Sequence, residues 1–151
     1  MKQEYLDTIR LVERLHRRFL DVIKNELDRL GVEDINNVQS LILSNIGEDQ
    51  LSVGELTNRG YYLGSNVSYN VKRLVENGYL QQERSPHDRR QTRLRVSDKG
   101  LDLVQKIAAL YERDADKLAG NVVDTADLES TNRVLSALER YWSDLLSYPM
   151  R

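Results

Sequence analysis

The residues best able to do chemistry lie in two short runs near the middle of the chain. The first is SNVSYNVKR, residues 65–73, where Asn66, Tyr69, Asn70 and Arg73 recur at spacings of three and four. On a helix that spacing gathers side chains on one face. Val67, Val71, Leu74 and Val75 then fall on the opposite, apolar face. A carboxamide offers a donor and an acceptor together and an arginine offers a fork of donors, the patterns that fit adenine and guanine edges in a major groove. Ser65, Asn66, Ser68, Tyr69, Asn70 and Arg73 are therefore expected to face bases. A solvated helix face would favour Glu and Lys, whereas this one holds no acid before Glu76.

The second run is RSPHDRR, residues 84–90, followed by Arg93 and Arg95. Arginines crowded in a short exposed loop gain little from folding, because exposed ion pairs are worth under about 1 kcal/mol. They make sense if a polyanion supplies the partner. A narrow minor groove concentrates negative potential and favours an inserted arginine. Asp88 then orients a guanidinium through a charge-assisted pair. Asp88, Arg89 and Arg90 form the expected minor-groove element, and Ser52, Lys72, Arg84 and Arg93 are expected on phosphates.

Charge distribution agrees. Residues 59–95 hold eight basic residues against three acidic ones, an excess of +5; the chain totals −2, so the remainder carries −7. A basic island in an acidic body can dock on phosphates while the body stays dispersed.

Several elements must position these runs. Apolar residues from Tyr5 to Leu30 recur at helical spacing, and Gly31 is the expected stop. A second helix starts at Asn36 or Asn37 and ends before Gly47. Ser52 and Glu55 fit a capping box for a third, short helix. Ser65 or Asn66 is the expected cap of the fourth, which Gly78 ends. YLQQERS and TRLRVS then alternate as two strands around the turn-rich SPHDRRQ, giving a hairpin. Two long helices follow, the first capped by Ser97 or Asp98 with a stripe of Leu101, Val104, Ile107, Ala108, Tyr111, Ala115 and Leu118. The second opens at residues 124–127 and carries Leu128, Val134, Leu135, Leu138, Tyr141, Trp142, Leu145 and Leu146.

The expected fold is mainly α with a small β-hairpin wing: a winged helix-turn-helix over 35–100, flanked by dimerisation helices at 1–34 and 101–151. The wide apolar faces of the terminal helices ask for a second copy, and obligate homodimers bury on the order of 2,000 Å² or more.

Other chemistries lack their residues. With no cysteine, disulfides, thiolate metal sites and thiol switches are excluded. His16 and His87 are too few for a histidine metal site, and neither offers a Ser-His-Asp assembly a shielded place. GYYLGS joins two helices and lacks the strand that a phosphate loop needs. No enzyme activity and no cofactor are expected. No signal peptide or membrane span is apparent, so a cytoplasmic location is expected.

The runs RSPHDRR (84–90) and LRVSDKG (94–100) together resemble the MarR family of bacterial regulators. They match its Asp-x-Arg wing, its alternating strand and its Thr-x-x-Gly helix start, with Ser97 in place of Thr. KRLVENGYL (72–80) is similar to the segment that precedes the family's wing, and GYYLGSNVS (60–68) resembles an LdtR-like branch. The resemblance implies a homodimer that binds a pseudo-palindromic operator, usually as a repressor, and a small-molecule effector that releases the DNA. It also implies that Arg90 enters the minor groove, Asp88 orients it and Arg89 contacts phosphate. Tyr5, His16, Arg17, Tyr111 and Trp142 are candidates to line an effector pocket, though spacing does not single one out. The rival reading is a winged-helix protein-interaction module without specific DNA binding; steeply salt-dependent DNA affinity discriminates the two.

Overall fold

The computed structural model describes residues 1–60, 64–84, 87 and 92–147, without the side chain of Ser65. The element order is α1 (Lys2–Leu30), α2 (Asn37–Ile46), β1 (Gln50–Ser52), α3 (Val53–Gly60), α4 (Gly64–Glu76), β2 (Leu80–Arg84), β3 (Thr92–Val96), α5 (Asp98–Leu118) and α6 (Thr125–Ser147). The chain divides into two units, Met1–Leu110 and Tyr111–Arg151.

In the first unit, α1 ends where expected: Gly31 adopts φ 73° and its N–H reaches the Asp28 carbonyl, a left-handed cap that only glycine accepts without strain. Asn36 caps α2 through a full capping box, its Oδ1 accepting from the Gln39 N–H while Gln39 Oε1 accepts from the Asn36 N–H. The core gathers Ile23 and Leu27 of α1, Ile42, Leu43 and Ile46 of α2, and Leu56 of α3. Val67, Val71 and Leu74 of α4, Leu51, Leu80, Leu94 and Val96 of the sheet, Leu103, Ile107 and Leu110 of α5, and Ile35 and Tyr79 of the connections complete it.

The sheet has three strands, not two. Its order is β1-β3-β2, all antiparallel, with Leu51 opposite Leu94 and Leu80 opposite Val96. The hairpin was legible because TRLRV alternates; β1 was not, because three residues show no period. Other differences follow from packing. Helix α4 begins at Gly64, so Ser65 and Asn66 lie in its first turn instead of capping it. Ser97, by contrast, caps α5: its Oγ accepts from the Gly100 N–H at 3.2 Å and donates to the Gly78 carbonyl at 2.6 Å. The buried stripe of α5 is Leu103, Ile107 and Leu110, one residue off the expected face, while Ala108, Tyr111, Ala115 and Leu118 are exposed. On α1 only Ile23, Glu26 and Leu27 are buried, whereas Leu11, Leu15, Phe19 and Val22 are exposed. Buried Glu26 is held by the guanidinium of Arg29 one turn on.

In the second unit the end of α5 turns at Gly120, φ 75°, and a single bridge joins Ala119 to Val123. Asp124 and Asp127 cap α6 reciprocally, Asp124 Oδ1 accepting from the Asp127 N–H at 2.8 Å. No described residue of this 23-residue helix is buried.

Candidate nucleic-acid interface

Helix α4 has the sidedness its sequence predicts. Val67, Val71 and Leu74 are fully or almost fully buried and Val75 is half-buried, while Asn66, Ser68, Tyr69, Lys72 and Arg73 are exposed. Tyr69, 63% exposed, presents an apolar ring and a hydroxyl to solvent from this face. Arg73 leans on Glu76 at 3.4 Å, a loose surface pair worth little and easily given up to a base or phosphate. Asn70 differs from its neighbours. It is half-buried, and its Oδ1 accepts from Gln39 Nε2 at 3.1 Å.

The sheet displays a second polar surface beside α3. Strand register places Ser52, Arg93 and Glu83 in one row across the sheet and Gln50, Arg95 and Gln81 in the next. Side chains two apart on a strand share a face, so Arg93 and Arg95 stand together on the side opposite Leu94 and Val96. Arg84 pairs with Thr92 and therefore points to the other face. The two expected phosphate contacts of the wing thus lie on neighbouring strands but face opposite sides of the sheet. Ser52 ends β1 and caps α3, its Oγ accepting from the Glu55 N–H at 3.1 Å; the hydroxyl proton can still be donated. Arg59 serves the fold instead: it binds Asp49 Oδ2 at 2.9 Å and the Asn45 carbonyl at 3.2 Å. The basic island is one charge less available than its count implied.

Asp88, Arg89 and Arg90, the expected minor-groove element, lie outside the described residues, as does the side chain of Ser65. His87 is described and exposed.

A polar hub beneath α4 was missed in the sequence. Asp34, in the α1–α2 connection, accepts from the Tyr79 hydroxyl at 2.8 Å and from Lys99 Nζ at 3.2 Å. Lys99 also donates to the Asn77 carbonyl at 2.9 Å and lies 4.3 Å from the centre of the Tyr79 ring. Asn77 Nδ2 returns to the Asp34 carbonyl at 2.9 Å. Burial alone would raise the Asp34 carboxyl. The bonds from Tyr79, Lys99 and the backbone, with the lysine charge, outweigh it and hold the group below its ordinary value. Burial, then the bond to Asp34 and its charge, raise the Tyr79 phenol well above its own. The hub fastens the C-terminal end of α4 to the start of α5. Its members lie 45 and 65 residues apart, so no local pattern announces them.

Each unit also holds a cavity. One of about 430 Å³ lies in the first unit, lined by Lys24, Leu27, Asp28, Val32, Ile35 and Asn36 among others. The other, of about 280 Å³, lies in the second unit at the α5–α6 turn and includes Tyr111. Of the remaining pocket candidates, His16 and Arg17 are exposed and Tyr5 and Trp142 are half-buried. Among the described residues, no helix is long and apolar enough to cross a membrane.

Known proteins share this fold. A MarR family model matches residues 33–91, from the α1–α2 connection into the wing. The exopolysaccharide II synthesis transcriptional activator ExpG of Rhizobium meliloti (strain 1021) is 40% identical over 147 residues. The match spans 95% of this chain and 74% of ExpG. Streptococcus pneumoniae FabT, solved in complex with DNA, superposes with a TM-score of 0.76 at 17% identity, covering 93% of this chain and 99% of that one. Staphylococcus aureus MarR, solved in complex with salicylate and kanamycin, gives 0.75 at 20% identity, covering 95% and 93%.

Proposed function

Since this chain belongs to the MarR family of transcriptional regulators, we propose that it binds a pseudo-palindromic operator in double-stranded DNA as a homodimer in the cytoplasm. The observation that carries the reading is α4. It buries Val67, Val71 and Leu74 and turns an acid-free face of Asn66, Ser68, Tyr69, Lys72 and Arg73 outward. That helix enters the major groove, with Ser65, Asn66, Ser68, Tyr69, Asn70 and Arg73 toward bases. Ser52, Lys72, Arg84 and Arg93 serve phosphates, and Asp88, Arg89 and Arg90 serve the minor groove. FabT, a structure of the same fold, was solved in complex with DNA, which supports DNA as the partner.

The homodimer rests on the two long terminal helices. Leu11, Leu15, Phe19 and Val22 of α1, and Leu128, Val134, Leu135, Tyr141, Leu145 and Leu146 of α6, are exposed. A long helix with no buried residue is marginal on its own, since most helical stability comes from packing an apolar face. Two copies joined through these helices would set two α4 helices roughly 34 Å apart, one turn of DNA.

The sign of regulation has two readings. Repression is what the family resemblance implies. The 40% identical relative is a transcriptional activator, which favours activation here. A small-molecule effector that alters DNA binding fits the salicylate complex of the S. aureus relative, and the 430 Å³ cavity near Lys24 is its candidate place.

Fluorescence anisotropy with duplex from the chain's own upstream region, at several salt concentrations and against a scrambled duplex, tests the reading. Binding that prefers the upstream duplex and weakens steeply with salt is expected. Binding to neither duplex above background at low salt would refute it. A reporter fused to the same region gives the sign, and salicylate is the first effector to add.

A further inference from the structure

Gln39 is 5% exposed, in the first turn of α2, and both ends of its carboxamide are engaged. Oε1 accepts from the Asn36 backbone N–H at 3.0 Å, and Nε2 donates to Asn70 Oδ1 at 3.1 Å. The polarity of this relay is forced. A backbone N–H can only donate, so it must face the oxygen of Gln39. The amino group of Gln39 then points at Asn70, and Asn70 must answer with its own oxygen. The Nδ2 hydrogens of Asn70 are thereby directed away from Gln39.

We propose that Gln39 is a specificity-determining positioning residue. It locks Asn70 so that a donor, not an acceptor, leads into the groove. The proposal rests on the reading of α4 as the base-contacting helix. A leading donor suits adenine N7, guanine N7 and O6, or thymine O4, whereas cytosine presents only its N4 donor there. At the base pair that Asn70 faces, cytosine on the contacted strand is the disfavoured base. The sequence reading of Asn70 as a symmetric, adenine-type bidentate partner is narrowed accordingly, because one side of its oxygen is already occupied.

Gln39→Glu is the informative variant. The carboxylate still accepts from Asn36, at a helix N-terminus that favours negative charge, so the capping box survives. Its second oxygen now faces Asn70 and must accept, which turns the Asn70 carboxamide over and leads with Oδ1. Asn70→Asp reaches the same outward acceptor directly while still accepting from Gln39. The added charge weakens binding to every site alike, so the readout is the ratio between sites.

The experiment is selection of bound duplexes from a library randomised over each half-site, with wild type, Gln39→Glu, Asn70→Asp and Asn70→Ala, each first shown by thermal melting to be folded. The wild type should deplete cytosine at one position per half-site, by about tenfold, the size of one good base contact. Gln39→Glu and Asn70→Asp should both relieve or reverse that depletion at the same position, and Asn70→Ala should flatten it. Enrichment of cytosine there by the wild type would overturn the proposal, whatever the variants do. If Asn70→Asp and Asn70→Ala shift the position but folded Gln39→Glu keeps the wild-type preference, Gln39 is structural only. If no Asn70 variant shifts any position, the base-contacting reading of Asn70 fails, and the relay with it.

Discussion

Replacing Gly100 with alanine should destabilise the protein, against the ordinary preference of helices for alanine. A Cβ built on Gly100 lies 2.5 Å from the Tyr79 carbonyl oxygen and 2.5 Å from Val96 Cγ1. Both are about an ångström inside ordinary contact. Neither neighbour can retreat cheaply. The carbonyl accepts from the Ser97 N–H at 2.9 Å, and Val96 is a β-branched side chain buried in the core. Overpacking of this kind costs about 1–3 kcal/mol. A lost backbone bond adds about 1 kcal/mol. Exchanging glycine for alanine within a helix returns about 1 kcal/mol. The net loss is therefore about 1–3 kcal/mol, which lowers the melting midpoint by about 2–12 °C for a chain of this length. Urea unfolding at one fixed protein concentration measures it, since the stability of the proposed homodimer would depend on concentration. Gly54→Ala is the paired control. Its new methyl would meet nothing closer than Ser52 Oγ at 3.9 Å, so it should gain up to about 1 kcal/mol. A Gly100→Ala protein as stable as wild type would refute the packing argument and leave the Ser97-x-x-Gly100 pattern without its physical reason.

Tyr79→Phe removes the hydroxyl bond to Asp34 and should cost about 1–2 kcal/mol by the same unfolding assay. The folded Asp34 carboxyl is held below its ordinary value of 3.8, so its contribution is present above that pH and is lost as pH falls through the folded value. The stability gap between wild type and Asp34→Asn should close in acid, below about pH 3.8; a gap unchanged at pH 3 would argue against the hub. The Tyr79 phenol is raised above 10.0, so its contribution is present below pH 10 and fades in stronger alkali. Lys72→Ala should weaken DNA binding evenly across sequences and flatten the salt slope by about one unit; a selective loss at one site would mean a base contact instead. Leu135→Glu places a charge on the exposed stripe of α6, and light scattering should then report mass moving toward the single 17.5 kDa chain from its double.

The frame of helices was legible because its punctuation is local. Gly31, Gly47 and Gly78 carry positive φ at the ends of α1, α2 and the α4 turn, each where the sequence places a stop. The apolar side of α4 was equally legible, since three valines and a leucine at helical spacing leave little choice of face. What was not legible depends on distant partners. Leu51 is a strand residue only because Leu94 lies opposite it. The Asp34 hub needs three separate segments to meet. Arg84 and Arg93 look equivalent in sequence, yet strand register sends them to opposite faces. One missed feature did leave a local trace: Asn36 and Gln39 fit the same capping-box pattern that was recognised at Ser52 and Glu55. Reading it there would have fixed the start of α2, though not the link from Gln39 to Asn70.

The strand order has a consequence for how the molecule behaves when concentrated. Because β3 lies between its two neighbours, the rows of backbone groups left open to another chain belong to β1 and β2 alone. β1 is three residues long, too short to template a new strand. β2 is longer, but Gln81, Gln82, Glu83 and Arg84 are all exposed, polar or charged. Short edges and charged edges both resist the strand-to-strand adhesion that leads to aggregates. The proposed homodimer, built on the apolar helix faces, can close on a pair, whereas association through the sheet could continue without limit. Exchanging Gln82 and Glu83 for valine would remove that protection while leaving the core untouched.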